Sequence, residues 1–250
     1  MVSFAFVGAF FSLRRPCVRN AGGPAAYGAL HPVRKVRGAV LGLFATLALA
    51  GLIAPGAAHA APLRLVAFGD SLTAGYGLPA NQAFPAQLQA ALKAKGHDVV
   101  IENAGVSGDT SSAGLARIDW SIPEGTDGVI LELGANDALR GIDPSITETS
   151  LSGMLARLKE RGIPVLLAGM VAPPNLGRDY AERFNPIYPR LARQYDVPLY
   201  PFFLDGVAGQ AGLNQADSVH PTGEGVKEIV ARMLPVVEAW LATLQAGKQG

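Results

Sequence analysis

The sequence predicts a doubly wound α/β fold, a parallel sheet with helices on both faces. Three observations predict it. Five short apolar runs, at 63–68, 98–103, 128–134, 164–170 and 197–202, are separated by stretches of helical periodicity. The runs are almost continuously apolar, as parallel strands buried on both faces must be. Strand and helix alternate along the chain, the order that right-handed parallel crossovers require.

The elements follow in order. The run 63–68 ends at Gly69, where a sharp turn is expected. Phe84, Leu88, Ala91 and Leu92 form one helical stripe leading to the second run. Leu151, Met154, Leu155 and Leu158 form another between the third and fourth runs. The last helix is the longest, with Val226, Ile229, Val230, Met233, Leu234, Val237, Trp240, Leu241 and Leu244 on the 3.6-residue period. Pro235 lies inside it and is expected to kink or split it. No internal repeat or low-complexity linker interrupts the pattern. Ligands in such folds bind at the carboxyl ends of the strands, so chemistry is sought just after each run.

The 250 residues are enough for one domain with a sizeable core. Charge is unevenly spread. Residues 1–60 hold six Lys/Arg and no Asp or Glu, while the remaining 190 hold 15 basic and 20 acidic groups. A mildly acidic domain gives no reason to expect a nucleic-acid partner. The basic prefix reads as an N-terminal extension plus a cleavable export signal. Arg34-Lys35-Val36-Arg37 precedes a 16-residue apolar run, 39–54, short for a bilayer span of about 20. Pro55 and Gly56 end the run, and Ala58-His59-Ala60 offers small residues for cleavage between Ala60 and Ala61. The expected product is periplasmic or secreted, residues 61–250, with no stable membrane insertion; an uncleaved anchor is the rival reading. Val33 onward has ordinary signal proportions by itself, so translation starting near Val33 or Val36 is a further expectation. Cys17 is the sole cysteine and lies in the prefix, which excludes disulfides, cysteine nucleophiles and thiolate metal sites from residues 61–250.

Four segments stand where chemistry is expected. Gly69-Asp70-Ser71-Leu72 follows the first run and places a serine near a helix start, as a nucleophile or as an ordinary N-cap. Ser107-Gly108-Asp109-Thr110 follows the second, where Gly108 offers a backbone N–H or simply a turn. Gly134-Ala135-Asn136-Asp137 follows the third, where Asn136 offers a side-chain amide or a cap. Asp217-Ser218-Val219-His220-Pro221 precedes the last helix. A serine hydroxyl needs a base to attack near neutral pH. His97 and His220 are the histidines of residues 61–250, and His97 follows a helix-ending Lys95-Gly96 on the opposite side. The spacing of Asp217 and His220 lets the carboxylate reach one imidazole nitrogen while the other faces the serine. A surface Asp–His pair or two metal ligands are the alternatives; no other His and no Cys completes a transition-metal site.

In this order and placement the segments resemble the SGNH (GDSL) hydrolase family, over roughly residues 63–242. Ser71, Gly108, Asn136 and His220 fall on the residues that name it. Glu132-Leu133-Gly134-Ala135-Asn136-Asp137, Leu139-Arg140-Gly141 and Val197-Pro198-Leu199 are similar to its bacterial branch of periplasmic acyl-CoA thioesterases, lysophospholipases and arylesterases. The resemblance implies a three-layer, flavodoxin-like fold with five parallel strands. It also implies Ser71 as nucleophile, His220 as base, Asp217 behind the histidine, and an oxyanion hole of the Ser71 N–H, Gly108 N–H and Asn136 amide. Asp137, Leu139, Ile142 and Pro173 correspond to substrate-lining loops. No cofactor and no metal are implied, and a monomer acting on a small acyl ester or thioester, lysophospholipid included, is expected. A carbohydrate deacetylase on the same fold is the nearest rival. A non-catalytic flavodoxin-like binder is the other, although no phosphate-binding glycine loop follows the first run.

Overall fold

Five parallel strands form one sheet in the order β2-β1-β3-β4-β5 in the computed structural model, which describes residues 61–248. The expected extension, signal, cleavage site and alternative starts in residues 1–60 lie outside the described residues.

The chain runs β1 (Leu63–Gly69), α1 (Ser71–Ala74), α2 (Phe84–Ala94), β2 (Val99–Gly105), α3 (Ser111–Ser121) and β3 (Gly128–Glu132). It continues through α4 (Ala135–Leu139), α5 (Pro144–Glu160), β4 (Val165–Ala168), α6 (Arg178–Phe184), α7 (Ile187–Tyr195), β5 (Leu199–Tyr200) and α8 (Gly223–Lys248). The sheet order reverses between β1 and β3, so the crossovers through α2 and α3 run in opposite directions and right-handedness sends those helices to opposite faces. The helix contacts agree: α2 packs with α8, whereas α3, α5 and α7 pack together. Val66, Phe68, Val129, Leu131, Leu166 and Leu167 are buried in the sheet between the two layers.

Three expectations about elements need correction. The run 98–103 is not buried on both faces: β2 is an edge strand, and Val100, Glu102 and Asn103 are exposed. The fifth run, expected over 197–202, keeps only two strand residues. Pro198 and Pro201 flank them and have no N–H to donate to a ladder. Pro235 does not split α8, which continues from Gly223 to Lys248. One backbone hydrogen bond is lost there, but Met233, Val237, Trp240 and Leu241 are buried on either side and hold the helix on the sheet. This helix is long and apolar enough to cross a bilayer. Its apolar stripe is instead buried in the core: a Cβ added at Gly128 of β3 would meet the Trp240 ring at 2.8 Å.

Register positions the site. Gly69 pairs with Gly105 on one side and with Glu132 on the other. The first three strands therefore end in one row, and the residues after each leave the sheet together.

Candidate active site

Ser71 is the first residue of α1 rather than its cap. Asp70 takes the cap position, its Oδ1 accepting the Leu72 N–H at 2.9 Å. The serine hydroxyl is thereby left for another partner, and His220 Nε2 lies 2.9 Å from it. The Ser71 N–H, at the head of the helix, has no intrahelical acceptor.

The imidazole is aimed from behind. His220 Nδ1 is 2.7 Å from Asp217 Oδ2. Asp217 Oδ1 accepts the main-chain N–H of Val219 at 2.9 Å and of His220 at 3.0 Å. Ser218 between them has φ 59°, an uncommon conformation for a side-chain-bearing residue, and it folds the segment back so that one carboxylate reaches all three groups. The His220 N–H first, then the imidazole, holds the Asp217 carboxyl down to about 2. An ionised carboxylate only accepts, so Nδ1 carries the imidazole proton and Nε2 presents its lone pair to Ser71.

Gly108, with φ 87°, and Asn136 in the second position of α4 stand at the same edge. Asn136 Nδ2 donates to Asp70 Oδ2 at 3.2 Å and to the Asp109 main-chain oxygen at 3.0 Å. Both N–H groups therefore have protein acceptors in the free chain. Arg140 braces the loop from outside, donating to the Gly108 oxygen at 2.9 Å.

Beneath the serine turn lie two buried carboxyls and a buried arginine. Glu132, the last residue of β3, accepts the Thr73 hydroxyl at 2.8 Å and the Asp70 N–H at 3.4 Å through Oε2. Its Oε1 has no hydrogen-bond partner among the described residues. Burial, then the neighbouring Asp70, pushes Glu132 well above the carboxylate range. Burial likewise raises Asp70 to about 6, against the Leu72 N–H and the Asn136 amide, which favour its ionised form. Arg117 of α3 lies over the Phe68 ring, 3.9 Å from its centroid. It donates to Asp109 Oδ2 at 2.6 Å and to the Gly69 oxygen at 2.9 Å. Gly69 itself is required by space: a Cβ there would lie 2.1 Å from Thr73 Oγ1 and 2.6 Å from Glu132 Oε2.

A cavity of about 510 Å³ opens beside the Ser71–His220 pair. Its walls are mainly apolar, with Leu139, Met170, Ala172, Pro173, Phe202 and Val219 among them. Of the four residues expected to line the substrate loops, Leu139 and Pro173 reach this cavity. Asp137 does not. Its buried carboxylate accepts the Ser111 N–H at 2.8 Å, the Ser111 hydroxyl at 2.5 Å and the Thr147 hydroxyl at 3.0 Å, and so ties α3 to α5. Ile142 also lies off the cavity, in the turn before α5, where its oxygen accepts the Tyr180 hydroxyl at 2.8 Å. His97 lies just before β2, at the other end of the sheet, 3.2 Å from Glu238. Among the described residues no group of three or more His, Cys, Asp or Glu is arranged to hold a metal ion.

Glu132 and Arg117 were missed by sequence reasoning. Glu132 gave a signal, an acid ending an otherwise apolar run; Arg117, inside an amphipathic helix, gave none.

Known proteins resemble this chain in sequence and fold. Residues 67–227 match the model of the GDSL-like lipase/acylhydrolase family. The chain is 40% identical to an arylesterase of Vibrio mimicus over 182 residues, 71% of this chain and 91% of that one. It is 39% identical to thioesterase 1/protease 1/lysophospholipase L1 of Escherichia coli (strain K12), over 73% of this chain and 83% of that one. The crystal structure of AlinE4, described as an SGNH-hydrolase family esterase, superposes with a TM-score of 0.62 at 49% identity, covering 73% of this chain and 98% of that one. The chain belongs to the GDSL-like lipase/acylhydrolase family and is an ester hydrolase.

Proposed function

We propose that this hydrolase cleaves carboxylic esters and acyl thioesters through an acyl-enzyme on Ser71, with His220 as general base and Asp217 orienting it. The observation that carries the proposal is the 2.9 Å contact between His220 Nε2 and Ser71 Oγ at the mouth of the apolar cavity. Ser71 Oγ bonds to the acyl carbon while its proton passes to Nε2. The N–H groups of Ser71 and Gly108 and the Asn136 amide receive the charge that develops on the carbonyl oxygen. The bond to the leaving alkoxide or thiolate breaks, and His220 returns the proton to it. Water then repeats the sequence on the acyl-enzyme, releasing the carboxylic acid and the free serine.

The cavity favours a hydrocarbon acyl chain over a sugar. Leu139, Met170, Pro173 and Phe202 offer apolar surface and no partners for sugar hydroxyls. Its volume lies in the range of about 300–1,000 Å³ typical of small-ligand sites. The substrate class includes aryl esters, thioesters and lysophospholipids, in line with the arylesterase, thioesterase and lysophospholipase names of relatives of the chain. A series of acyl esters and thioesters of increasing chain length, run beside acetylated sugars, tests this. Specificity rising with chain length supports the acyl reading; preference for the sugars overturns it.

The basic, apolar and small-residue segments of the prefix support export, with the working enzyme a monomer that begins at Ala61. N-terminal sequencing of the processed protein tests the cleavage point, and light scattering tests the monomer.

A further inference from the structure

His220 is useful as a base only while its ring is held in one orientation, and it stands on an irregular segment before α8. Two residues outside the Ser71–His220–Asp217 set meet it there. The first is Tyr76, two residues beyond α1. Its main-chain N–H donates to the Ser71 oxygen at 3.1 Å, and its ring lies against the imidazole, centroids 4.5 Å apart and planes tilted by 36°. The side chain is 53% exposed to solvent.

The second is Gln215. Its main-chain N–H donates to the His220 oxygen at 2.7 Å, and its own oxygen accepts the Ser218 N–H at 2.9 Å. Its side-chain Nε2 donates to the Tyr76 oxygen at 2.7 Å and to the Pro221 oxygen at 2.9 Å. Both partners are carbonyls, which only accept, so the orientation of the amide is fixed. Space is kept for it: a Cβ on Gly77 would lie 2.4 Å from Gln215 Oε1. One glutamine thus touches the backbone at His220, at the residue after it, and at the tyrosine that covers the imidazole. That tyrosine is bonded in turn to Ser71.

We propose that Gln215 and Tyr76 form a clip that positions His220, the carboxamide tying the backbone at Pro221, the residue after His220, to the backbone at Tyr76, and the phenol ring closing one face of the imidazole. The clip sets where Nε2 points relative to Ser71 Oγ. When the imidazole takes up the serine proton, the π face of Tyr76 also attracts the cation. Gln215 and Tyr76 are positioning residues; neither exchanges a proton or a bond with substrate. The inference rests on the reading of Ser71 as nucleophile and His220 as base.

The test uses Gln215→Ala, Tyr76→Leu, Tyr76→Phe and the double variant Gln215→Ala/Tyr76→Leu. Each is measured for kcat and KM on an aryl ester, for the rate of covalent labelling by a fluorophosphonate, and for thermal melting. Gln215→Ala and Tyr76→Leu are expected to lower kcat and the labelling rate together by roughly tenfold or more, since small misplacements of a reacting group cost about that much. KM is expected to stay within about twofold, because acyl binding is untouched. Tyr76→Phe keeps the ring and restores most of the loss. The double variant loses less than the product of the two single losses, because both act through one imidazole. Wild-type kcat in folded Gln215→Ala and Tyr76→Leu, losses confined to KM, or losses that multiply independently would each overturn the clip while leaving Ser71 and His220 in their roles. If Gln215→Ala fails to fold, the Tyr76 pair decides, since that side chain is exposed. If folded wild-type protein is not labelled at Ser71, the underlying reading fails and the clip fails with it.

Discussion

The Asn136 side chain is held by a buried acid: its Nδ2 donates to Asp70 Oδ2 at 3.2 Å. Its other N–H serves the Asp109 oxygen, so an oxyanion must share a donor that is already in use. Asn136→Ala is expected to lower kcat by about 10²–10³, the usual cost of one oxyanion donor, with little change in melting temperature. A folded variant with the wild-type rate would remove Asn136 from the reaction.

Acid is expected to silence the enzyme. Protonated His220 cannot take the serine proton, so kcat/KM falls on the acid side. Asp217, held at about 2, keeps its contribution to stability until the pH drops below the unfolded-chain value of about 3.9 and loses it towards about 2. Asp70, raised to about 6 by burial, takes up a proton in the folded chain before the unfolded chain does, so its contribution to stability rises as pH falls from about 6 to about 4. Buried Glu132 acts in the same direction. Between about pH 6 and about pH 4 the melting temperature should hold or rise. Activity flat to about pH 4 contradicts His220 as base. A collapse of the melting temperature over the same interval contradicts the buried carboxyls.

Arg117→Met is expected to destabilise the fold by about 3 kcal/mol, because it strands Asp109 in a mostly buried pair and removes the donor to the Gly69 oxygen. Adding Asp109→Asn should recover part of that loss. Denaturant unfolding of the wild type and the two variants checks both statements, and a stable single variant would show that the pair holds nothing.

Ala172 is buried in the cavity wall. Ala172→Phe should move the preferred acyl chain to shorter lengths, read as kcat/KM across the ester series. An unchanged profile would place the acyl chain elsewhere.

The fold was legible because its carriers are local. Continuous apolar runs mark β1, β3 and β4, which are buried on both faces, and Val226 to Leu244 marks α8 by period alone. The placement of Ser71, Gly108 and Asn136 at one edge was legible because each follows a strand of one parallel sheet. What was not legible depends on direction. Asp137 adjoins Asn136, but one residue along a helix turns the side chain by about 100° and aims it at Ser111 and Thr147. Arg117 gives no signal in the sequence, and only tertiary packing turns it inward over Phe68. The run 197–202 reads as a full strand by its apolar residues, yet Pro198 and Pro201 deny the ladder two donors and shorten β5.

Labelling with a fluorophosphonate probe, followed by peptide mapping, tests the role of Ser71 most directly. The expected result is one modified residue, Ser71, with both labelling and ester hydrolysis abolished in folded Ser71→Ala. Hydrolysis that survives in folded Ser71→Ala, or a label on another residue, would contradict it.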